Sequence, residues 1–178
     1  MPRAKAKITL KAKRAKSKTS GSSSRPHAAF RKWDHIPRLV VFDLDFTLWF
    51  PEMYELWGAP GKQCHFFGAV HTVIYNLETD PQFRDTTETC MRLMDTSLQS
   101  IVDYEAIYPR NKRVHFEQLK KDSGIPYEEM LFFDNEYGNV HDIQKIGVTC
   151  AYCPQGLTEG SWIQGMEAFQ AAKTKETN

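Results

Sequence analysis

The sequence predicts an α/β fold, a Rossmann-like three-layer sandwich around a mainly parallel sheet. Three observations carry this reading. The runs Leu39-Val40-Val41-Phe42 and Met130-Leu131-Phe132-Phe133 are continuously apolar rather than alternating, as in strands covered on both faces. Each run stops abruptly at carboxylates: Asp43 and Asp45 after the first, Asp134 after the second. Between and after them, helical and strand patterns take turns, the signature of βαβ units.

The first strand is expected over about residues 39–44. Residues 49–67 show no clean period and are broken by Pro51, Gly58, Pro60 and Gly61, which predicts a loop over the end of the sheet. Val70, Val73, Ile74 and Leu77 recur at helical spacing, predicting a helix at about 69–78. Met91, Met94 and Leu98 predict a second helix from Thr86 or Thr87 to about Leu98, so two helices follow one another without a strand between them. A short strand is expected from Ile101 to Tyr108. Asn111 then caps a helix from Lys112 to about Asp122, stopped near Gly124. A helical turn at Tyr127-Glu129 leads into the second apolar strand. A helix near 139–146, a strand over Val148–Tyr152 and a helix over 158–172 complete the pattern. The last has Trp162, Ile163, Met166 and Phe169 as its core stripe.

The formal charge of +1 over 178 residues hides a division. Residues 1–32 hold 11 of the 23 Lys and Arg and no acid; the remainder holds 12 basic and 22 acidic residues, a formal charge of −10. The basic stretch is rich in Ala and Ser and has little to bury, so a disordered tail is expected at 1–32. The domain is expected at 33–172, with a disordered end at 173–178. Lys11-Ala12-Lys13-Arg14 fits a nuclear address or contact with nucleic acid, and the acid-free composition also fits organelle import; a plain solvated tail is the simplest reading. Outside this tail nothing suggests nucleic-acid binding. No apolar stretch is long enough to span a membrane. Cys150 and Cys153 form a CxxC in an apolar strand, without the second ligand pair of a structural zinc site. Buried or idle thiols are favoured over metal or redox use. An intracellular compartment, cytoplasmic or nuclear, fits this usage, and a monomer is expected.

If the two apolar strands lie side by side, Asp43, Asp45, Asp134 and the Asn135 amide converge at their carboxyl ends. Ligands collect there in open α/β sheets. Oxygen donors held so close call for a hard cation, and Mg²⁺ suits one or two carboxylates with water and a phosphate oxygen. One carboxylate can then attack phosphorus. Another can protonate the leaving oxygen and later deprotonate water. A lysine is needed against the developing charge, and Lys112 opens a predicted helix. A lone Asp-x-Asp could merely form a turn, and a lone Lys112 would be a surface lysine; the conjunction carries the reading.

These residues resemble a known family. LVVFDLDFTLW is similar to the first motif of the haloacid dehalogenase superfamily, DxDx[TV]. More closely, DFTLW, IYPRNKRVHFEQL, GIPYEEMLFFDNE and IGVTC resemble the magnesium-dependent phosphatases, which have little or no cap domain. The resemblance covers most of residues 36–171. It implies Asp43 as nucleophile and Asp45 as general acid and base, with a main-chain carbonyl on Mg²⁺. It implies Lys112 as the lysine of the third motif, Asp134 and Asn135 as the metal-binding fourth motif, and Leu44 and Thr47 as substrate-binding residues. The implied substrates are phosphorylated small molecules or phosphoproteins, with an aspartyl-phosphate intermediate. Three departures are expected to matter. The second motif, a Ser or Thr ending a core strand, has no match near Asp85-Thr86-Thr87-Glu88, as though one core strand were missing. The segment from Trp57 to Phe67 is shorter than the usual small hairpin. Asn135 replaces an aspartate, which removes a charge. The alternative they raise is an impaired phosphatase fold that binds a phosphorylated ligand or partner.

Overall fold

The computed structural model describes residues 32–50, 65–66, 88–90, 102–106 and 108–176. Five parallel strands form one sheet in the order β5-β4-β1-β6-β7. They are β1 Leu39–Phe42, β4 Glu88–Cys90, β5 Val102–Tyr104, β6 Met130–Asp134 and β7 Thr149–Tyr152. A two-stranded antiparallel piece, β2 Trp49–Phe50 with β3 His65–Phe66, follows β1. The helices are α1 Lys112–Ser123, α2 Tyr137–Gln144 and α3 Glu159–Glu176, with a 3₁₀ turn at Tyr127–Glu129.

The central pair explains the continuous apolar runs. β1 and β6 align Leu39 with Met130 and Phe42 with Phe133, and all of Leu39–Phe42 and Met130–Asp134 is buried. Side chains alternate between faces with a period of two. Val40, Phe42, Leu131, Phe133 and Ala151 face Trp162, Met166 and Phe169 of α3. Leu39, Val41, Met130 and Phe132 face Phe116 and Leu119 of α1 and Val140 and Ile143 of α2. Both faces are covered, so an alternating polar residue would have nowhere to go.

The expected ends of α1 are observed. The Asn111 side chain accepts from the Arg113 N–H at 2.8 Å, and Gly124 closes the helix at φ +71°, with its N–H on the Lys120 carbonyl. Lys112 is therefore the first helical residue, and its side chain is carried to the end of β1.

The structure corrects four expectations. Glu88–Cys90, placed in a helix by the Met91-Met94-Leu98 spacing, is a strand seated between β1 and β5, so the sheet has no vacant position there. Its pairing is tertiary: a three-residue strand has too few residues to display a period, and the helical spacing lies beyond it. The small hairpin is present as β2 and β3 despite the short intervening chain. Helix α2 begins at Tyr137, two residues before the expected start. Helix α3 continues to Glu176, past the expected domain end at 172, and Lys173 Nζ pairs with Glu129 at 2.7 Å. The tail at 1–31 and the helix expected at 69–78 lie outside the described residues.

Candidate active site

The site is built where β1 and β6 end. The Asp43 N–H donates to the Phe133 carbonyl at 2.9 Å, one step beyond the last aligned pair. This places the Asp43 and Asp134 carboxylates on neighbouring strands, about 4.8 Å apart in strand spacing. Lys112 Nζ forms an ion pair with Asp43 Oδ1, the lysine 24% and the aspartate 15% exposed. That degree of burial removes much of the screening of a surface pair.

After Asp43 the chain turns sharply. The Leu44 carbonyl accepts from Thr47, Leu48 and Trp49 N–H groups at 3.2, 2.8 and 3.4 Å. Phe46 pays for the turn with φ +54°, uncommon for a residue with a Cβ. Asp45 is oriented by Trp49, whose Nε1–H donates to Asp45 Oδ1 at 2.8 Å.

Thr47 was expected to touch substrate. It is fully buried instead, and its hydroxyl links the two strand ends. The Asn135 N–H donates to Thr47 Oγ1 at 3.0 Å, while Thr47 Oγ1 lies 3.2 Å from Asn135 Oδ1 and 3.4 Å from Asp43 Oδ2. One hydroxyl proton serves two acceptors there. Thr47 thus positions the site from behind.

Asp134 is fully buried. Its oxygens accept from the Glu136 N–H at 2.6 Å and from Asn139 Nδ2 at 3.0 Å. Burial pushes its carboxyl up to about 7, and the negative charge of Asp43 adds to the effect. A cation beside these two groups would remove both penalties. Among the described residues no cluster of three or more His, Cys, Asp or Glu is drawn together. Two carboxylates, with the Asn135 amide and main-chain oxygens nearby, nevertheless fit an ion that keeps several waters.

A cavity of about 440 Å³ opens on Asp43, Asp45 and Lys112. Leu44, Tyr108 and His115 stand at its sides, and Val41, Phe116 and Phe132 form an apolar floor. His115 Nε2 lies 3.0 Å from the Tyr108 carbonyl, and its ring meets the Tyr108 ring edge-on at 4.5 Å. Burial first, and Lys112 after the opposing Tyr108 bond, hold His115 below its usual pKa.

Of the seven residues singled out in the sequence, Asp43, Leu44, Asp45 and Lys112 line this cavity; Thr47 and Asn135 are hydrogen-bonded to each other behind it, and Asp134 lies buried at the end of β6. Sequence reasoning missed Asn139, Trp49 and His115. Only their spacing carried a signal: Trp49 lies four residues after Asp45, Asn139 five after Asp134, and His115 one helical turn after Lys112. Cys150 and Cys153 are buried and free. Burial, and then the Asp134 charge, push both thiols up to about 12.

A parallel sheet in this order, with an acid pair after its central strand and a lysine and second acid converging on it, defines a phosphatase of the haloacid dehalogenase type. Comparison agrees. The acid phosphatase family model matches residues 35–92 and 85–172. The human magnesium-dependent phosphatase 1 is 31% identical over 160 residues, covering 78% of this chain and 90% of that protein. A HAD-like hydrolase superfamily protein of Schizosaccharomyces pombe is 28% identical over 149 residues, covering 64% of this chain and 83% of that one. A solved structure of the N-terminal part of a Bacteroides fragilis protein, containing a phosphatase domain complexed with Mg, covers 75% of this chain and 40% of that one. It is 13% identical, with a TM-score of 0.47. The chain belongs to the acid phosphatase family, within the haloacid dehalogenase superfamily.

Proposed function

We propose that this phosphatase is Mg²⁺-dependent and hydrolyses phosphomonoesters through an aspartyl-phosphate on Asp43. The observation that carries the reading is the Lys112–Asp43 ion pair at the end of β1, beside buried Asp134. An Asp43 oxygen attacks phosphorus while the bond from phosphorus to the leaving oxygen breaks. Asp45 gives its proton to that oxygen. Asp45 then takes a proton from water, the water oxygen attacks phosphorus, and the bond to Asp43 breaks, releasing inorganic phosphate and restoring the carboxylate. Lys112 and the Leu44 main chain hold the phosphoryl oxygens. Asp43, Asp134, Asn135 and the Asp45 carbonyl would hold Mg²⁺, which offsets the repulsion between anionic carboxylate and anionic phosphate. Trp49 keeps Asp45 in place, and Thr47 and Asn139 keep Asp43 and Asp134 in place. The substrates are phosphorylated small molecules or phosphoproteins, as for a sugar-phosphate or tyrosine phosphatase.

The test is phosphate release from p-nitrophenyl phosphate, with Mg²⁺ and with EDTA, for the wild type and Asp43→Asn. Release that depends on both Mg²⁺ and Asp43 is expected; equal rates in the two proteins would sink the proposal.

A second reading has an observation of its own. The family match breaks into two stretches that overlap at residues 85–92, and β4 there ends on Cys90 rather than on a Ser or Thr. Loss of one such preorganised donor costs on the order of 10²–10³ in rate. On this reading the domain binds phosphorylated ligands with little turnover. It predicts no release from p-nitrophenyl phosphate but a rise in melting temperature with phosphorylated ligands.

A further inference from the structure

Lys112 reaches Asp43 from the first position of α1. That is the least secure place on a helix. The leading N–H groups have no acceptor within the helix, and helix ends fray. The residues leading in, Pro109, Arg110 and Asn111, are exposed. The Asn111 cap restrains the N–H groups of the first turn, but the approach of the chain needs a restraint of its own.

Tyr108, four residues before Lys112, supplies that restraint, because it is tied to α1 along its length. Its carbonyl accepts from His115 Nε2–H at 3.0 Å. Its ring meets the His115 ring at 84°, with centroids 4.5 Å apart. Its hydroxyl donates to Gln118 Oε1 at 2.8 Å. Tyr108 thus lies as a strap over the start of the helix, and residues 108–115 close into a loop from which Lys112 emerges. The carbonyl can only accept, so Nε2 carries the proton, and it carries one whether the ring is neutral or charged. Lys112 and His115 are one turn apart and line the same cavity, so they share a face of α1.

We infer that His115 is a positioning residue for phosphoryl transfer. By holding the Tyr108 carbonyl it fixes the first turn of α1, and with it Lys112 Nζ against Asp43. The inference rests on the phosphatase reading above for what Lys112 does, and adds what keeps it in place. The part of His115 is to place Lys112, not to contact the substrate: its Nε2 is bonded to the Tyr108 carbonyl and its ring lies against the Tyr108 ring.

The experiment compares the wild type with His115→Gln and His115→Asn. The glutamine amide nitrogen has the reach of Nε2 from the helix; that of asparagine is one bond shorter and cannot meet the Tyr108 carbonyl. Two quantities are measured. One is kcat and KM for p-nitrophenyl phosphate in Mg²⁺ buffer. The other is the rate at which an acetylating reagent modifies Lys112, read by peptide mass spectrometry. The ion pair with Asp43 and partial burial shield Lys112 from the reagent. Lys173 of α3, paired with Glu129, is the control.

In His115→Asn, kcat is expected to fall about tenfold with a smaller change in KM, because a displaced charge acts chiefly on the transition state. Lys112 acetylation is expected to rise about tenfold, the equivalent of one lost hydrogen bond, with Lys173 unchanged. His115→Gln is expected to keep both close to wild type. Unchanged Lys112 labelling in His115→Asn overturns the inference whatever happens to kcat, as does an equal rise at Lys173, which would mean general loosening. A glutamine variant as slow as the asparagine one, with Lys112 still shielded, would make His115 a substrate contact and also overturn it. If the wild type releases no phosphate, the phosphatase reading fails, and the labelling still decides whether His115 places Lys112. Should His115→Asn not fold, Gln118→Leu frees the other end of the strap. A rise of about threefold in Lys112 labelling is then expected, and no rise overturns the inference.

Discussion

Thr47 shows how much one buried hydroxyl can organise. It takes the Asn135 N–H and shares its proton between Asn135 and Asp43. Thr47→Val keeps the shape and leaves the Asn135 N–H and amide oxygen without that partner. A buried group left unpaired costs about 1–3 kcal/mol, so the urea midpoint is expected to fall by that equivalent, with kcat falling alongside. Thr47→Ser is expected to recover most of both. At Cys150 and Cys153, burial keeps the thiolate out of reach at neutral pH. Peptide mapping after iodoacetamide at pH 8 is expected to find both unmodified in the native protein and both modified in urea. Native labelling of either would contradict the burial.

Among the elements, α3 packs closely on the sheet at Gly165. A Cβ at Gly165 would lie 2.7 and 2.8 Å from the Phe133 ring and 3.1 Å from the Ala151 Cβ. Phe133 cannot yield, because it is stacked between Phe42 at 5.2 Å and Trp162 at 5.5 Å. Gly165→Ala gains up to ~1 kcal/mol of helix propensity, while overpacking a filled core costs about 1–3 kcal/mol. Net destabilisation of about 1–2 kcal/mol is expected in urea unfolding, and a more stable variant would show that the contact relaxes. In α1, the Asn111 cap sets where the helix starts and therefore where Lys112 stands. Asn111→Ala is expected to cost about 1 kcal/mol, with a loss of kcat that follows from displacing Lys112 from Asp43.

At the scale of the whole molecule, folding stability is linked to protons and to the cation. The Asp134 carboxyl is raised in the folded state, to about 7 from an ordinary value near 4. Its charged form is the one that folding penalises. Stability from this group is present in full below pH ~4 and is lost as pH rises through about 7. In EDTA the melting temperature is expected to fall between pH 5 and pH 8, more steeply than in Asp134→Asn. A cation bound only by the folded site stabilises by mass action, and needs the ionised carboxyl to do so. Mg²⁺ is therefore expected to raise the melting temperature more at pH 8 than at pH 5. Parallel pH profiles for the wild type and Asp134→Asn would remove Asp134 from this linkage.

The residues themselves determined the layered α/β fold, the two central strands and the ends of α1. Doubly covered strands must be continuously apolar, and helix termini need a cap at one end and a left-handed residue at the other. They also determined the acids and the lysine of the site, because charges at the ends of buried strands need partners. Tertiary structure decided what depends on neighbours distant in the chain. It seated Glu88–Cys90 as a strand against β1, where three residues are too few to show a period. It turned Thr47 from an expected substrate contact into a buried link, because Asn135, 88 residues away, offers the N–H that the hydroxyl accepts. It brought Lys112, 69 residues on, to Asp43, and Tyr152 against Tyr137. Which polar or aromatic groups meet at a sheet edge is set by strand order and register, and no local spacing encodes that.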